Sequence, residues 1–333
     1  MDKVTTSGGQ AALEGYAIRP KRRAGVFRFF RHLVGDRLVL VASIFFLLVV
    51  LAALLAPLVA PGYNQGVLSE RLMPPVWAGG TSAHLFGTDE QGRDVLERMM
   101  WGGQVSLRVG FVVVILAGFV GIALGLIAGL LGGTADSLIM RGVDVMFSMP
   151  GLLIALVFVL VLGPGERNLI IALAINAWMV FTRLIRGLVL AMRDGPMVEA
   201  ANAVGVPQSR IMWRHILPNI LGLVVTISVL EVARIMLAEA TMSFLGYGIQ
   251  PPSVSWGSMI GSSRNYVSND PWLVVLPGLA LALTVLSLNV IANWLRTEID
   301  PLQQKFDTKL ESTSDLEFDA DDVGLQMIDN APA

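Results

Sequence analysis

Three ionisable residues lie within a long apolar stretch of the chain, where charge is costly to bury. Glu231 and Arg234 are three residues apart, the spacing that places two side chains on one face of a helix. Glu239 lies eight residues after Glu231 in the sequence. On a helix its side chain would therefore face a nearby but distinct direction. Such residues can form a structural ion pair, line a solute path or relay protons. All three roles stay open at this point.

The chain lacks the residue sets of several other kinds of site. It has no cysteine, and its three histidines are far apart in sequence, so no metal centre is expected. No lysine belongs to a G-x-x-x-x-G-K-[ST] phosphate loop, so ATP bound in that way would need another polypeptide. An intramembrane protease would need two facing membrane aspartates, a Ser/His pair or a zinc site, whereas Asp144 is the only aspartate in the predicted spans and no histidine lies deep in one. We predict that the chain is not an enzyme and carries no cofactor.

The composition is that of a polytopic membrane protein. Of 333 residues, 54% are hydrophobic and 15% are charged, whereas soluble domains carry about a quarter charged residues. A helix needs about 20 apolar residues to cross the bilayer core. This criterion predicts an all-α integral membrane protein with six transmembrane helices, at 38–60, 109–135, 138–162, 168–190, 219–245 and 272–295. The third span is expected to tolerate Pro150 within it and to pair Arg141 with Asp144.

Basic residues predict the orientation of these spans. Lysines and arginines cluster between positions 19 and 37, which favours a cytoplasmic N terminus, and six spans place the C terminus on the same side. Residues 1–37 are predicted to be a cytoplasmic segment with a basic interfacial helix, although ordinary positive-inside charges explain them equally well. Residues 38–302 form the transmembrane domain, and 303–333 an acidic, disordered tail. With a net charge of -2, no nucleic-acid partner is expected.

Four glycines recur every four residues in the second span, at positions 121, 125, 129 and 133. Small residues at this spacing form a smooth stripe on which a neighbouring helix can pack closely. We predict a structural role for this stripe.

The segment 193–218, between the fourth and fifth spans, has helix signals of its own. Good helix formers follow Glu199, and Gly205 is a natural stop. A second short helix is expected next, ended by Pro218, with residues 211–213 on its surface. An apolar knob exposed to the cytoplasm indicates a protein partner, and the alternative is an interfacial connector without one.

These motifs carry a resemblance to a known family. E-A-A-x-x-x-G at 199–205, followed by I-L-P at 216–218, resembles the cytoplasmic signature of permeases in binding-protein-dependent ABC importers. H-L-F-G-T-D-E-Q-G-R-D-V at 84–95 and S-F-L-G-Y-G at 243–248 are similar to external segments of the C-type permease of the dipeptide, oligopeptide and nickel branch. Further matching segments extend the resemblance over roughly residues 30–302. The acidic tail has no counterpart in the family.

The resemblance implies a type I ABC importer permease fold and a permease subunit in the plasma (inner) membrane of a prokaryote. Such a subunit forms half of the path for peptides or a related small solute, for example a nickel chelate. Its implied partners are a second homologous permease, one or two ATP-binding-cassette ATPases that hold ATP and Mg, an external substrate-binding protein and membrane lipids. The alternative function is an ion-coupled secondary transporter that uses Glu231, Arg234 and Glu239.

The resemblance also assigns residues. The second helix of the loop would sit in a groove of the ATPase, Glu199 would brace the hairpin and Gly205 would permit its turn. The residues expected to couple to the ATPase are Glu199, Ala200, Ala201, Gly205, Ile211, Trp213, Arg214, His215 and Pro218. The candidate residues of the translocation path are Glu231, Arg234 and Glu239.

Overall fold

The fold is described from a computed structural model, which covers residues 35–193 and 195–299. The predicted interfacial helix before the first span and the predicted acidic tail lie outside the described residues. Within these residues the secondary structure is helical, apart from one isolated bridge between Thr88 and Asp94.

The helices are numbered here in chain order. They are α1 (Arg37–Val59), α2 (Val95–Leu131), α3 (Gly133–Phe147), α4 (Gly151–Leu162), α5 (Glu166–Arg193), α6 (Pro196–Ala203), α7 (Gln208–Ile211), α8 (Leu217–Phe244), α9 (Trp256–Ser262) and α10 (Trp272–Ile299). Five helical runs, namely α1, α2, α5, α10 and the continuous run 208–244, are long and apolar enough to span a membrane. The bent pair α3 and α4 makes a sixth when it is counted as one span. The prediction of an all-α protein with six spans is confirmed.

The third span is not the continuous helix that was predicted over 138–162. Helix α3 ends at Phe147, α4 begins at Gly151, and their axes differ by 87°. Pro150 explains the break, because proline has no N–H to donate and disfavours helical backbone in the residue before it. Ser148 closes the end of α3 with a hydrogen bond from its hydroxyl to the Val145 carbonyl, 2.7 Å away.

The second span was predicted to end at residue 135, but its helix α2 ends four residues earlier, at Leu131. Gly132, at φ +63 and ψ −156, ends α2 after Leu131, and Gly133 begins α3. Gly133 therefore does not belong to the predicted stripe. A backbone conformation of this kind is open mainly to glycine.

Helices α2 and α5 pack closely along the remaining three glycines. A Cβ atom on Gly121 would lie 2.5 Å from the Cβ of Phe181 and 2.5 Å from the Trp178 carbonyl oxygen. At Gly125 the nearest atom would be the Cβ of Ile185, at 2.7 Å. Gly129 meets α5 in the same way at Val189. The predicted packing role is confirmed for these three positions, where any side chain would force the helices apart.

Ion pairs join α5 to its neighbours at both ends. Arg108 of α2 makes two 2.8 Å hydrogen bonds to the Glu166 carboxylate. At the opposite end Arg186 binds Asp136 of α3 in a bidentate pair.

Asp144 pairs with Arg183 and not with Arg141, as had been predicted from their spacing. The Arg183 guanidinium lies 4.2 Å from the centre of the Phe147 ring, which holds it beside α3 and within reach of Asp144.

Hydrogen bonds show which helix ends lie together. The Trp101 indole donates to the Ala60 carbonyl at 2.8 Å, so the end of α1 meets the start of α2. Arg193 donates to the Gly129 carbonyl at 3.3 Å, so the end of α5 meets the end of α2. The loop 193–218 therefore lies at the end opposite to the connecting segment 60–94.

A matched pair of glycine substitutions tests the α2–α5 contact. Gly121→Ala places a methyl group 2.5 Å from Phe181 and Trp178, and we expect a loss of about 1–3 kcal/mol in stability. Gly118→Ala is the control, because its methyl would lie 3.8 Å from the Phe181 ring, an ordinary contact. The midpoint of thermal unfolding in detergent should fall for Gly121→Ala alone. Equal midpoints in the two variants would contradict the close-packing role.

Candidate functional site

The loop 193–218 forms a helical hairpin at one end of the bundle. Helix α6 is closed by hydrogen bonds from the Gly205 amide to the Asn202 carbonyl, at 2.9 Å, and from the Val206 amide to the Ala201 carbonyl, at 3.0 Å. Gly205 has φ +77, a left-handed conformation that permits this turn. The Gln208 side chain then donates to Asn202 at 2.8 Å and joins the two arms.

The second arm is not a separate helix ended by Pro218, as had been predicted. From Gln208 to Phe244 the chain is continuously helical, with a π-helical turn at Met212–Ile216 and Pro218 in the first turn of α8. The wider turn bonds the Leu217 amide to the Met212 carbonyl, and the Asn219 side chain donates to the His215 carbonyl at 2.6 Å. These bonds occupy the backbone around Pro218, whose missing N–H is tolerated near a helix start.

An apolar cluster seats this hairpin on the membrane helices. Val198, Ile211 and Ile216 are buried against Leu126 of α2 and Ile185 of α5. The prediction that Ile211 is exposed for a partner is wrong, because the apolar face of α7 turns inwards onto this cluster. The hairpin is therefore packed against the bundle and is not a free loop.

The outward face of the hairpin combines apolar and basic groups. Val204 and Trp213 are exposed at its tip and on its second arm, and Arg210 and Arg214 are exposed beside them. An exposed tryptophan flanked by arginines is the composition that protein interfaces favour.

The other predicted coupling residues surround this face. Glu199 and Ala200 are exposed in α6, Gly205 is exposed at the turn, and Pro218 is exposed at the start of α8. Ala201 is half-buried and packs against the apolar cluster beneath the hairpin, and His215 is half-buried.

Glu231 and Arg234 form the ion pair that their spacing predicts. The Nε and Nη2 atoms of Arg234 donate to Oε2 of Glu231 at 2.8 and 2.6 Å. The glutamate is buried, whereas the Arg234 side chain is 44% exposed. The pair therefore presents its guanidinium outwards.

Glu239 lies apart from this pair, in the interior of the bundle. It is fully buried, and its two oxygens accept hydrogen bonds from the Ser106 hydroxyl of α2 at 2.9 Å and the Ser243 hydroxyl at 2.7 Å. Ser243 also accepts from the Ile249 amide at 3.0 Å. Glu239 thus joins α2, α8 and the segment that follows α8.

Among the described residues, no group of three or more His, Asp or Glu side chains is placed to hold a metal ion. The arrangement presents an exposed hairpin surface, the outward-facing guanidinium of Arg234 and the fully buried carboxyl of Glu239. These features fit a helical membrane protein that contacts a partner at one end.

Known families and proteins share this sequence over most of its length. Residues 121–305 match the family of binding-protein-dependent transport system inner membrane components, and residues 27–75 match the N-terminal transmembrane domain of oligopeptide transport permease C. A dipeptide transport system permease protein of Alkalihalophilus pseudofirmus is 38% identical over 286 residues, which cover 86% of this chain and 91% of that protein. The chain belongs to the binding-protein-dependent transport permease family.

Two further relatives of this permease are similar at the same level. A di/tripeptide transport system permease protein of Pseudomonas aeruginosa is 39% identical over 260 residues, 78% of this chain and 86% of that protein. A glutathione transport system permease protein of Pectobacterium atrosepticum is 34% identical over 274 residues, 82% of this chain and 90% of that protein. These relatives are named as transport permeases and not as enzymes.

The family membership confirms an ABC importer permease subunit with the type I fold, a multi-pass protein of the inner membrane. It lends no support to the ion-coupled alternative.

The connecting segment 60–94 and the start of α2 contain a polar network that the sequence motif alone did not reveal. His84 lies 2.8 Å from Asp94 and 3.4 Å from Glu70. Asp89 accepts from the Arg93 side chain at 2.7 Å and lies 3.3 Å from Arg98. The density of charged residues in the motif was the available signal for such a network.

Burial lowers the pKa of His84, but hydrogen bonds to Asp94 and Glu70 outweigh this effect and raise the pKa above its ordinary value of 6.5. A histidine with a raised pKa in the folded state stabilises the fold below its unfolded pKa. This contribution disappears as the pH rises through the folded value.

We therefore expect the thermal midpoint of the permease to fall as the pH is raised from about 6 to about 8, the range around the ordinary histidine pKa. His84→Gln removes the titrating group and should flatten this dependence. The measurement is thermal unfolding in detergent across this pH range, for the wild type and the variant. The same slope in both proteins would show that His84 does not contribute.

Proposed function

We propose that this permease forms half of the translocation path for peptides or a related small solute, with a nickel chelate as the other candidate of its branch. The relatives support peptides, because they are named for transport of dipeptides, di- and tripeptides and glutathione. The other half of the path comes from a second homologous permease subunit. An external substrate-binding protein delivers the solute, and lipids surround the apolar helices.

One or two partner ATPases, which hold ATP and Mg, supply the energy for transport. The hairpin 193–218 couples the permease to them. The observation that carries this proposal is the combination of an exposed Trp213 with a buried Ile211 on the same short arm. Trp213 and the arginines beside it meet the ATPase, while Ile211 fixes the arm to α2 and α5. A push on the hairpin therefore moves the membrane helices as a body.

The hairpin faces the cytoplasm, and both chain termini lie on that side. The basic stretch before α1 supports this orientation. The start of α1 and the end of α10 lie at the hairpin end of the bundle, because each membrane-crossing unit reverses direction.

The intramembrane charges divide between two roles. Arg234 lines the translocation path, and Glu231 holds its guanidinium in place. Glu239 braces the fold, because both of its oxygens are engaged inside the subunit.

The whole proposal is tested with the complete complex in proteoliposomes. With the binding protein outside and ATP inside, we expect uptake of a labelled dipeptide that stops when ATP is omitted. Uptake that persists without ATP and follows a proton gradient would contradict it.

The turn of the hairpin is tested with two substitutions at Gly205. Gly205→Val puts a β-branched residue at φ +77, where it is strongly disfavoured, so we expect the turn to distort and ATP-dependent uptake to be lost. Gly205→Asn is the control, since asparagine tolerates this conformation and no atom lies within 4 Å of the added Cβ. Equal uptake by both variants would show that the turn geometry does not matter.

The ATPase contact is tested at Trp213. Trp213→Ala should weaken ATPase binding by about 2 kcal/mol, roughly thirtyfold in Kd, as expected for a central interface tryptophan. Trp77→Ala is the matched control, because Trp77 is also 63% exposed but lies in the external segment. The measurement is titration of the detergent-purified permease pair with the ATPase. Unchanged affinity in Trp213→Ala would exclude Trp213 from the contact.

A further inference from the structure

A cleft opens within the membrane helices at the break between α3 and α4. Its volume is about 330 Å³, and it is lined by the first residues of α4, by Leu173 and Asn176 of α5 and by residues 234–241 of α8. None of its lining residues is acidic. A volume of this size is sufficient for a small ligand.

Asn176 is the first group that indicates a ligand in this cleft. Its side chain is only 7% exposed, and its Nδ2 atom has no hydrogen-bond partner in the part of the chain that the structure describes. The same atom lies at the start of α4, where it would be 2.6 Å from a Cβ on Gly151. A buried amide donor without an acceptor is costly, so an acceptor is expected when the site is in use.

The N terminus of α4 is the second group. Its N-cap is Pro150, which makes no side-chain capping bond. The first amide that bonds within this helix is that of Leu153, to the Pro150 carbonyl at 2.9 Å. Gly151 and Leu152 line the cleft, and their amides precede that of Leu153 at the positive end of the helix dipole.

Arg234 is the third group. Its Nε and Nη2 atoms are engaged by Glu231, whereas Nη1 makes no hydrogen bond to any residue that the structure describes. Arg234 lines the cleft and Glu231 does not. The ion pair therefore holds the guanidinium so that its free edge is available to an acceptor.

These three groups are all donors, and two of them carry positive charge or a positive dipole. We infer that the cleft binds the free C-terminal carboxylate of the transported peptide, through Arg234, Asn176 and the first amides of α4. This inference rests on the proposed function, since it requires that peptides pass along this face. Helix termini exposed at a break within the membrane bind anionic substrate groups in the same way in other transporters.

The test compares a free-acid peptide with its amide. The complete complex is reconstituted in proteoliposomes with its binding protein, and ATP-dependent uptake of labelled dialanine and of dialanine amide is measured. Asn176→Asp is nearly isosteric but places a negative charge in the cleft. We expect the acid-to-amide uptake ratio to fall about tenfold relative to the wild type, as for the loss of one charge-assisted hydrogen bond. Arg234→Gln should lower the ratio similarly.

The control is Thr241→Val, in the same cleft. The Thr241 hydroxyl already donates to the Leu237 carbonyl at 2.8 Å, so this variant should keep the wild-type ratio. The binding protein is the same in every sample, so its own preference cancels when variant and wild-type ratios are compared. If Asn176→Asp does not assemble, Asn176→Ala is measured by the same criterion.

The outcomes separate the two proposals. Absence of ATP-dependent uptake by the wild-type complex would overturn the proposed function, and this inference with it. Uptake by the wild type with an unchanged ratio in Asn176→Asp and Arg234→Gln would overturn the inference alone. An equal loss of acid and amide uptake has the same meaning, because it shows a structural role or a contact with another chain.

Discussion

The close contact between α2 and α5 is the interaction on which the other elements depend. Gly121, Gly125 and Gly129 let the two backbones approach, so that dispersion contacts replace the hydrophobic driving force that is absent between helices in lipid. Ion pairs fix the ends of α5, to Arg108 at one end and to Asp136 at the other. Helix α2 then holds α1 through Trp101 and α8 through Ser106.

The same helix pair supports the hairpin 193–218. Val198 and Ile211 of the hairpin pack against three apolar residues of this pair, namely Leu126 of α2 and Ile185 and Val189 of α5. A hairpin packed in this way cannot move without α2 and α5. The arm is divided, because Ile211 points inwards and attaches it while Trp213 stays exposed.

Sequence reasoning located the features that lipid or local spacing imposes. The bilayer requires long apolar helices, so the spans could be found from hydropathy. The Glu231–Arg234 pair could be found because its partners are one helical turn apart. Burial of Ile211 could not be found, because a helix of four residues is too short to show a periodic apolar face.

The remaining differences depended on tertiary structure. Proline is tolerated within some membrane helices and breaks others, so Pro150 alone did not predict an 87° bend. Asp144 pairs with Arg183 of α5 and not with Arg141 of its own helix. Asn176 gave no signal in the sequence, because its importance arises only where α4 begins beside it.

Helix α8 also relates the two faces of the membrane geometrically. It begins beside the hairpin at Leu217 and ends at Phe244, next to a cleft that residues of the 84–95 motif line. At 1.5 Å per residue its 28 residues measure about 42 Å. If it tilts about its centre by about 10°, each end moves about 4 Å, and the two ends move in opposite directions. In the proposed function, a tilt of this kind opens one mouth of the path while it closes the other, because both ends belong to one rigid helix.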